Sequence, residues 1–152
     1  MGEGEGEGGG GLMNYHETSL QVRFHEVDVY SVVWHGHYIS WFEVGRNDLT
    51  ERFGMGPLQL KGYALLAPVV ELSCQFKLPA CFGDSLIVQT TMERTEAAKL
   101  IFHYRVRHHE TGKVLATGST THVITDLSGT LLYRVPPDIF EKIEAMRRYL
   151  EV

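Results

Sequence analysis

The chain of 152 residues has few of the features that mark specialised classes of protein. Its only cysteines, Cys74 and Cys81, form no Cys-x-x-Cys pair, so we expect reduced thiols and a cytoplasmic location rather than a disulfide framework. No stretch approaches the roughly 18 apolar residues of a membrane span. The 14 basic residues are outnumbered by 19 acidic ones, and the net charge of -5 argues against a nucleic-acid partner.

The start of the chain also has little that could be buried. The opening MGEGEGEGGGG alternates glycine with glutamate and then runs to glycine alone. Such a segment would lose much conformational entropy on folding and gain no hydrophobic burial, so we predict a disordered tail over residues 1–13. The remaining residues, 14–152, have the length of a single domain with its own hydrophobic core.

Two hydrophobic patterns follow the tail. Leu20, Val22 and Phe24 alternate with polar residues, which predicts a half-buried strand. From His37 onward apolar residues recur at steps of three and four, which predicts an amphipathic helix of about four turns. That helix should end at the breaker GMGP, residues 54–57.

The rest of the chain predicts four strands and a short final helix. The strands cover residues 63–77, 85–93, 100–106 and 113–125, with short turns between them. In the last strand Ala116 and Gly118 share a face, which indicates close approach of another element. Strands joined by hairpins imply an antiparallel sheet with a helix on one face, an α+β layout. Because one helix leaves sheet surface and an edge uncovered, we also expect an oligomer.

A short segment before and within the helix carries a family resemblance. Residues 28–38 (DVYSVVWHGHY), followed by residues 41–46 (WFEVGR), resemble the signature of the 4-hydroxybenzoyl-CoA thioesterase family. The likeness extends over roughly residues 15–135 in element order, and within the family the chain is similar to the small bacterial acyl-CoA thioesterases associated with the Tol–Pal envelope system. The resemblance implies the hotdog fold, in which an antiparallel sheet wraps around a long central helix. It also implies a homodimer or homotetramer with the site between subunits.

The resemblance further implies hydrolysis of an acyl-CoA to a free acid and coenzyme A, without a cofactor. Asp28 would be the essential acid, acting as general base or nucleophile. Exposed amides at the helix start, that of His35 and also that of Gly36, would stabilise the developing oxyanion. His35 is an alternative side-chain catalyst. The substrate-binding residues that we expect around this point are Val33, Trp34, Gly36, His37 and Tyr38.

Two positions depart from the family pattern. His37 stands where the family often has asparagine, and Ser31 stands where it commonly has glycine. Both leave Asp28 in place, so we expect them to bear on acyl preference rather than on the reaction. Together with His25, His35 and His37 would suggest a zinc site, but no further ligand has metal spacing, so we predict no metal.

Other functions are compatible with the same fold. The chain could bind an acyl thioester without hydrolysing it, or dehydrate a 3-hydroxyacyl thioester, and release of free thiol separates these alternatives from hydrolysis. The phosphates of coenzyme A need cationic groups or free amides, but no glycine-rich phosphate loop is present. Basic residues that could contact them are Lys77, Arg94, Lys99, Arg105 and Arg107.

Overall fold

The computed structural model describes residues 14–152, so the predicted disordered tail, residues 1–13, lies outside the described residues. The described part has an α+β fold, as predicted. Its strands are β1 (His16–Gln21), β2 (Leu65–Leu66), β3 (Val69–Phe76), β4 (Ser85–Glu93), β5 (Lys99–His108), β6 (Val114–Val123) and β7 (Thr125–Asp126). Its helices are α1 (Gly36–Glu51), α2 (Pro57–Gly62) and α3 (Pro137–Leu150).

Five strands form one antiparallel sheet in the order β1-β4-β5-β6-β3. Its centre is two hairpins, β4–β5 and β5–β6, because each short turn returns the chain beside the strand it has just left. The strands β2 and β7 pair separately. Helix α1 lies across the inner face of the large sheet, as the hotdog layout requires.

Glycines in the helix and the sheet allow α1 to approach closely. Phe42 is fully buried and stacks on Tyr104 of β5, with ring centroids 4.6 Å apart and planes at 7°. A Cβ atom at Gly118 would lie 2.4 Å from the Phe42 ring, and one at Gly45 would lie 2.6 Å from Val88. The expected close approach to the small-residue face of β6 is therefore confirmed. Burying a phenylalanine in this way contributes roughly 1.5–3 kcal/mol.

The edge strand β3 exposes apolar side chains. Val70 is 57% exposed, Leu72 41% and Phe76 52%. Its free edge also leaves backbone N–H and C=O groups without a neighbouring strand. This edge is a surface suited to pairing with another chain.

Three of the predicted strands differ from those observed. The predicted strand over residues 63–77 is divided into β2 and β3, and that over residues 113–125 is divided into β6 and β7. The alternation through Phe24 predicts that β1 continues, but β1 ends at Gln21 and Phe24 begins a 3-10 turn, Phe24–Glu26, where its ring is 79% exposed. The turn redirects the chain toward α1. Among the described residues, no helix has both the length and the apolar character needed to cross a membrane.

Candidate active site

Asp28 lies in a tight hairpin between the 3-10 turn and α1. Val27 bridges Val33, the Asp28 N–H donates to Val32 O at 2.9 Å, and the Ser31 N–H donates to Asp28 O at 3.0 Å. The Asp28 Oδ1 accepts a bond of 2.8 Å from the Tyr30 N–H. The side chain is half-buried, and its Oδ2 accepts no hydrogen bond from another residue in the range 14–152. One carboxylate oxygen is thus anchored and the other is available for chemistry.

The turn of this hairpin depends on a left-handed residue. Ser31 has a φ of 66°, a conformation that glycine adopts without a steric penalty and that costs other residues roughly 1–2 kcal/mol. The turn that follows Asp28 therefore adopts a conformation in which a glycine would carry no steric penalty.

The start of α1 presents two amides. The His37 N–H donates to Trp34 O at 3.0 Å, and the Tyr38 N–H donates to His35 O at 3.3 Å. The N–H groups of His35 and Gly36 donate to no other described residue. Free amides at a helix N-terminus carry a partial positive charge and can stabilise an oxyanion.

Backbone bonds tie the Asp28 hairpin to this helix start. The Trp34 N–H donates to Glu26 O at 2.9 Å, and the Val33 N–H donates to Ala80 O at 2.8 Å. These bonds hold both sides of the hairpin directly ahead of His35. The carboxylate and the free amides therefore belong to one continuous, hydrogen-bonded segment, residues 26–36.

Glu26 is a residue of this segment whose role sequence reasoning missed. Its side chain is 4% exposed, Oε1 accepts from the Arg23 N–H at 2.8 Å, and Oε2 accepts from Trp41 Nε1 at 3.1 Å. It therefore links the 3-10 turn to the middle of α1. The signal in the sequence was an acidic residue two positions before Asp28, but its partner Trp41 is apparent only once the helix has packed.

Aromatic rings surround the helix start. The Trp34 ring lies 4.9 Å from that of His35 and 5.5 Å from that of His37, while His35 approaches Phe76 of the edge strand at 6.1 Å. A Cβ atom at Gly36 would lie 2.1 Å from the Trp34 ring, so the indole rests against the first residue of α1. These rings form a wall beside the free amides.

The predicted substrate-binding residues differ in accessibility. Trp34 and His35 are exposed, Gly36 and His37 are half-buried, and Val33 and Tyr38 are buried. Tyr38 accepts a hydrogen bond of 3.1 Å from the Ala80 N–H, and burial raises the pKa of its phenol, which keeps it protonated. Val33 and Tyr38 therefore lie beneath the surface of the site. Trp34, Gly36 and His37, together with the candidate catalyst His35, reach that surface.

The residues considered for a metal site and for the coenzyme A phosphates lie as follows in the structure. Within residues 14–152 there is no group of three or more His, Cys, Asp or Glu side chains that could hold a metal ion, and His25 and His37 meet only through their rings, at 6.0 Å. Two of the basic residues considered for coenzyme A have intramolecular partners. Arg105 Nε donates to Gln89 Oε1 at 2.7 Å, and Arg107 Nε donates to Gly112 O at 3.0 Å.

Comparison with known proteins decides the family. The profile of the Thioesterase-like superfamily matches residues 22–143, a range that includes the hairpin, α1 and the whole sheet after β1. The chain belongs to this superfamily. It is a thioester hydrolase with the hotdog fold, and the narrower 4-hydroxybenzoyl-CoA branch is not distinguished by the match.

Individual relatives agree with this membership. A Bacillus subtilis protein named as a candidate acyl-CoA thioesterase, YneP, is 26% identical over 114 residues, which cover 75% of this chain and 82% of that protein. The crystal structure of a hypothetical protein from Thermus thermophilus is 33% identical, covers 86% of this chain and 98% of its own, and superposes with a TM-score of 0.78. The DHNA-CoA thioesterase of Staphylococcus aureus, at 24% identity, covers 88% and 91% with a TM-score of 0.79 and shares the fold.

Proposed function

We propose that this member of the superfamily hydrolyses an acyl-CoA thioester with Asp28 as the catalytic carboxylate. The observation that carries the proposal is the hydrogen-bonded segment of residues 26–36, which contains both an anchored carboxylate with one free oxygen and two unpaired amides at the start of α1. A thioester carbonyl needs a group that attacks or activates water and donors that stabilise the oxyanion. The segment supplies both, the carboxylate from Asp28 and the donors from His35 and Gly36, seven and eight residues later.

The amides of His35 and Gly36 would polarise the carbonyl oxygen. Loss of one such donor typically costs about 2.7–4 kcal/mol of transition-state stabilisation. Because backbone N–H groups already point outward at the start of α1, they need no reorganisation during the reaction. This role requires only the N–H of His35, so its imidazole is left to line the site beside Phe76.

Two routes remain open for Asp28. As a general base, it takes a proton from water, the water oxygen attacks the carbonyl carbon, and the departing thiolate of coenzyme A recovers that proton. As a nucleophile, its free Oδ2 attacks the carbon, expels the thiolate and forms a mixed anhydride that water then hydrolyses. In a single turnover in ¹⁸O-labelled water, label in the Asp28 side chain identifies the second route with water attacking the aspartyl carbonyl of the anhydride, since the general-base route places the label only in the released acid.

The class of acyl group is inferred from the aromatic rings that line the start of α1. Trp34, His35, His37 and Phe76 offer aromatic surfaces at the helix start, which suit an aryl or medium aliphatic acyl group. The likeness to the 4-hydroxybenzoyl-CoA family and its Tol–Pal-associated branch supports the same classes. A cytoplasmic location remains a prediction that rests on the cysteine usage of the chain.

A second copy of the chain is proposed to complete the site. The edge strand β3 combines unpaired backbone groups with exposed apolar residues, and its last residue, Phe76, contacts both His35 and Tyr38 at 6.1 Å and 5.2 Å between ring centroids. A homodimer paired along β3, or a homotetramer of such dimers, would bring partner residues to the border of the Asp28 site. Sedimentation of the purified chain tests this directly.

The test of the function is thiol release from a panel of aliphatic and aromatic acyl-CoA substrates. We expect stoichiometric free coenzyme A and free acid from at least one substrate class. Saturable binding of acyl-CoA without thiol release would instead identify a binding module. Loss of water from a 3-hydroxyacyl thioester without thiol release would identify a dehydratase.

A further inference from the structure

A cavity of about 110 Å³ lies under the second half of α1, enclosed by α2, β2, β5 and β6. Its walls are apolar and include the buried side chains of Met55, Leu60, Leu100 and Phe102. An engineered apolar cavity of about 150 Å³ is known to hold benzene, so this smaller one suits an alkyl group of about four or five carbon atoms. The space is too large and too apolar to be filled well by single ordered waters.

One cation stands at this cavity. Arg46 is half-buried, lines the cavity, and donates from Nη1 to Tyr104 OH at 3.2 Å. It forms no ion pair with another residue of the described range. A partly desolvated guanidinium without a carboxylate partner is costly, and a carboxylate is the ligand that its planar donors match.

The other ionisable group of the cavity, His122, does not compete for this role. The buried His122 has both ring nitrogens bonded, one to Ala67 O and one to Thr120 Oγ1, each at 2.9 Å. Burial lowers the pKa of His122, with the charge of Arg46 acting in the same direction, so the imidazole is neutral. No acidic residue lines the cavity, and the nearby Glu43 forms no ion pair with Arg46.

We propose that this cavity is a binding site for a short aliphatic monocarboxylate, with its alkyl group between α1 and the sheet and its carboxylate on Arg46. Such acids are the products of thioester hydrolysis, so the assignment of the ligand as a product rests on the proposed function, whereas the binding does not. Arg46 follows Gly36 by ten residues of the helix, which is about 15 Å. The site is therefore separate from the Asp28 site of the same chain.

Calorimetric titration of the purified full chain with sodium hexanoate and with 1-hexanol tests the proposal. Arg46→Met should weaken hexanoate binding by about ten- to a hundredfold and leave the hexanol affinity unchanged, because only the charged contact is lost. Ala67→Leu, which fills the cavity, should weaken both ligands. Arg52→Met, at an exposed position at the end of the same helix, is the matched control and should change neither. Circular dichroism and a thermal melt check that each variant is folded.

Absence of saturable hexanoate binding would overturn the proposal, as would equal hexanoate affinity of the wild type and Arg46→Met. Displacement of hexanoate by S-hexyl-CoA from the Asp28→Asn variant would also overturn it, because that result would place hexanoate in the Asp28 site. Unchanged hexanoate binding by Asp28→Asn supports a separate site. If the wild-type chain releases no thiol but binds hexanoate in this manner, the proposed function fails and the cavity assignment stands. If the wild-type chain releases thiol but does not bind hexanoate, the cavity assignment fails and the proposed function stands.

Discussion

Replacing Glu26 with glutamine should destabilise the segment of residues 26–36 that carries Asp28. The carboxylate accepts from two donors, the Arg23 N–H and Trp41 Nε1, and is almost fully buried. A glutamine has one acceptor oxygen and one NH₂ group, so one of these donors would face another donor. Hydrogen bonds to a charged group contribute about 1.5–3 kcal/mol each, and we expect Glu26→Gln to lower the free energy of unfolding by about 2–4 kcal/mol.

Urea unfolding followed by tryptophan fluorescence and circular dichroism measures this loss. Trp41→Phe removes the second hydrogen-bond donor to Glu26. The loss of unfolding free energy that this change causes should be smaller in the Glu26→Gln background than in the wild type, by roughly 1–3 kcal/mol. Glu43→Gln, at an exposed position of the same helix, is the control and should fall within about 0.5 kcal/mol of the wild type. Near-wild-type stability of Glu26→Gln, or strict additivity with Trp41→Phe, would refute the reasoning.

The same variant should impair turnover. Glu26 O accepts from the Trp34 N–H, and its side chain fixes the 3-10 turn that leads into the Asp28 hairpin. Because the residue acts on the placement of Asp28 and the amides, kcat should fall more than KM rises. Glu26→Asp should not restore both bonds, since its side chain is one methylene shorter.

Three further changes test other parts of the structure. Ser31→Gly should raise the free energy of unfolding by up to about 1 kcal/mol, because relief of the left-handed conformation outweighs the added freedom of the unfolded chain, and a loss of stability in urea would contradict the turn assignment. Gly118→Ala should cost about 1–3 kcal/mol in the same assay because its Cβ meets the Phe42 ring, whereas Gly62→Ala, which has open space around its Cβ, should not. Burial lowers the pKa of His122 below its usual 6.5, so the unfolded chain binds a proton that the folded chain does not as the pH falls below 6.5. The wild type should therefore lose more stability than His122→Gln between pH 7 and pH 5, and parallel pH profiles of the two proteins would contradict this.

Local patterns in the sequence are sufficient to predict most of the elements. The steps of three and four from Tyr38 to Phe53 predict α1 because one apolar stripe must face the sheet, and the helix indeed buries Tyr38, Trp41, Phe42 and Leu49. The turn-rich segments between β4, β5 and β6 predict hairpins, and hairpins alone suffice for an antiparallel order. The resemblance of residues 28–46 then selects the hotdog arrangement.

Features that depend on tertiary partners could not be predicted. The alternation at Phe24 is typical of a strand, but the Glu26 side chain bonds the Arg23 N–H and favours a 3-10 turn instead. The exposure of β3 could not be predicted from its sequence, because an apolar face such as that of Val70, Leu72 and Phe76 is equally typical of a strand covered by another layer. Likewise, Arg46 is an ordinary helix residue until the packing of α2 and β2 encloses a cavity beside it.

The most direct test of the account is the turnover of Asp28→Asn. Asparagine keeps an oxygen that can accept from the Tyr30 N–H, so the hairpin should survive, while the group that attacks or activates water is lost. We predict that kcat for thiol release falls at least about a hundredfold, with circular dichroism and the thermal melt unchanged, whereas Asp138→Asn at the exposed start of α3 keeps wild-type turnover. Wild-type turnover by a folded Asp28→Asn protein would contradict the assignment of the catalytic carboxylate.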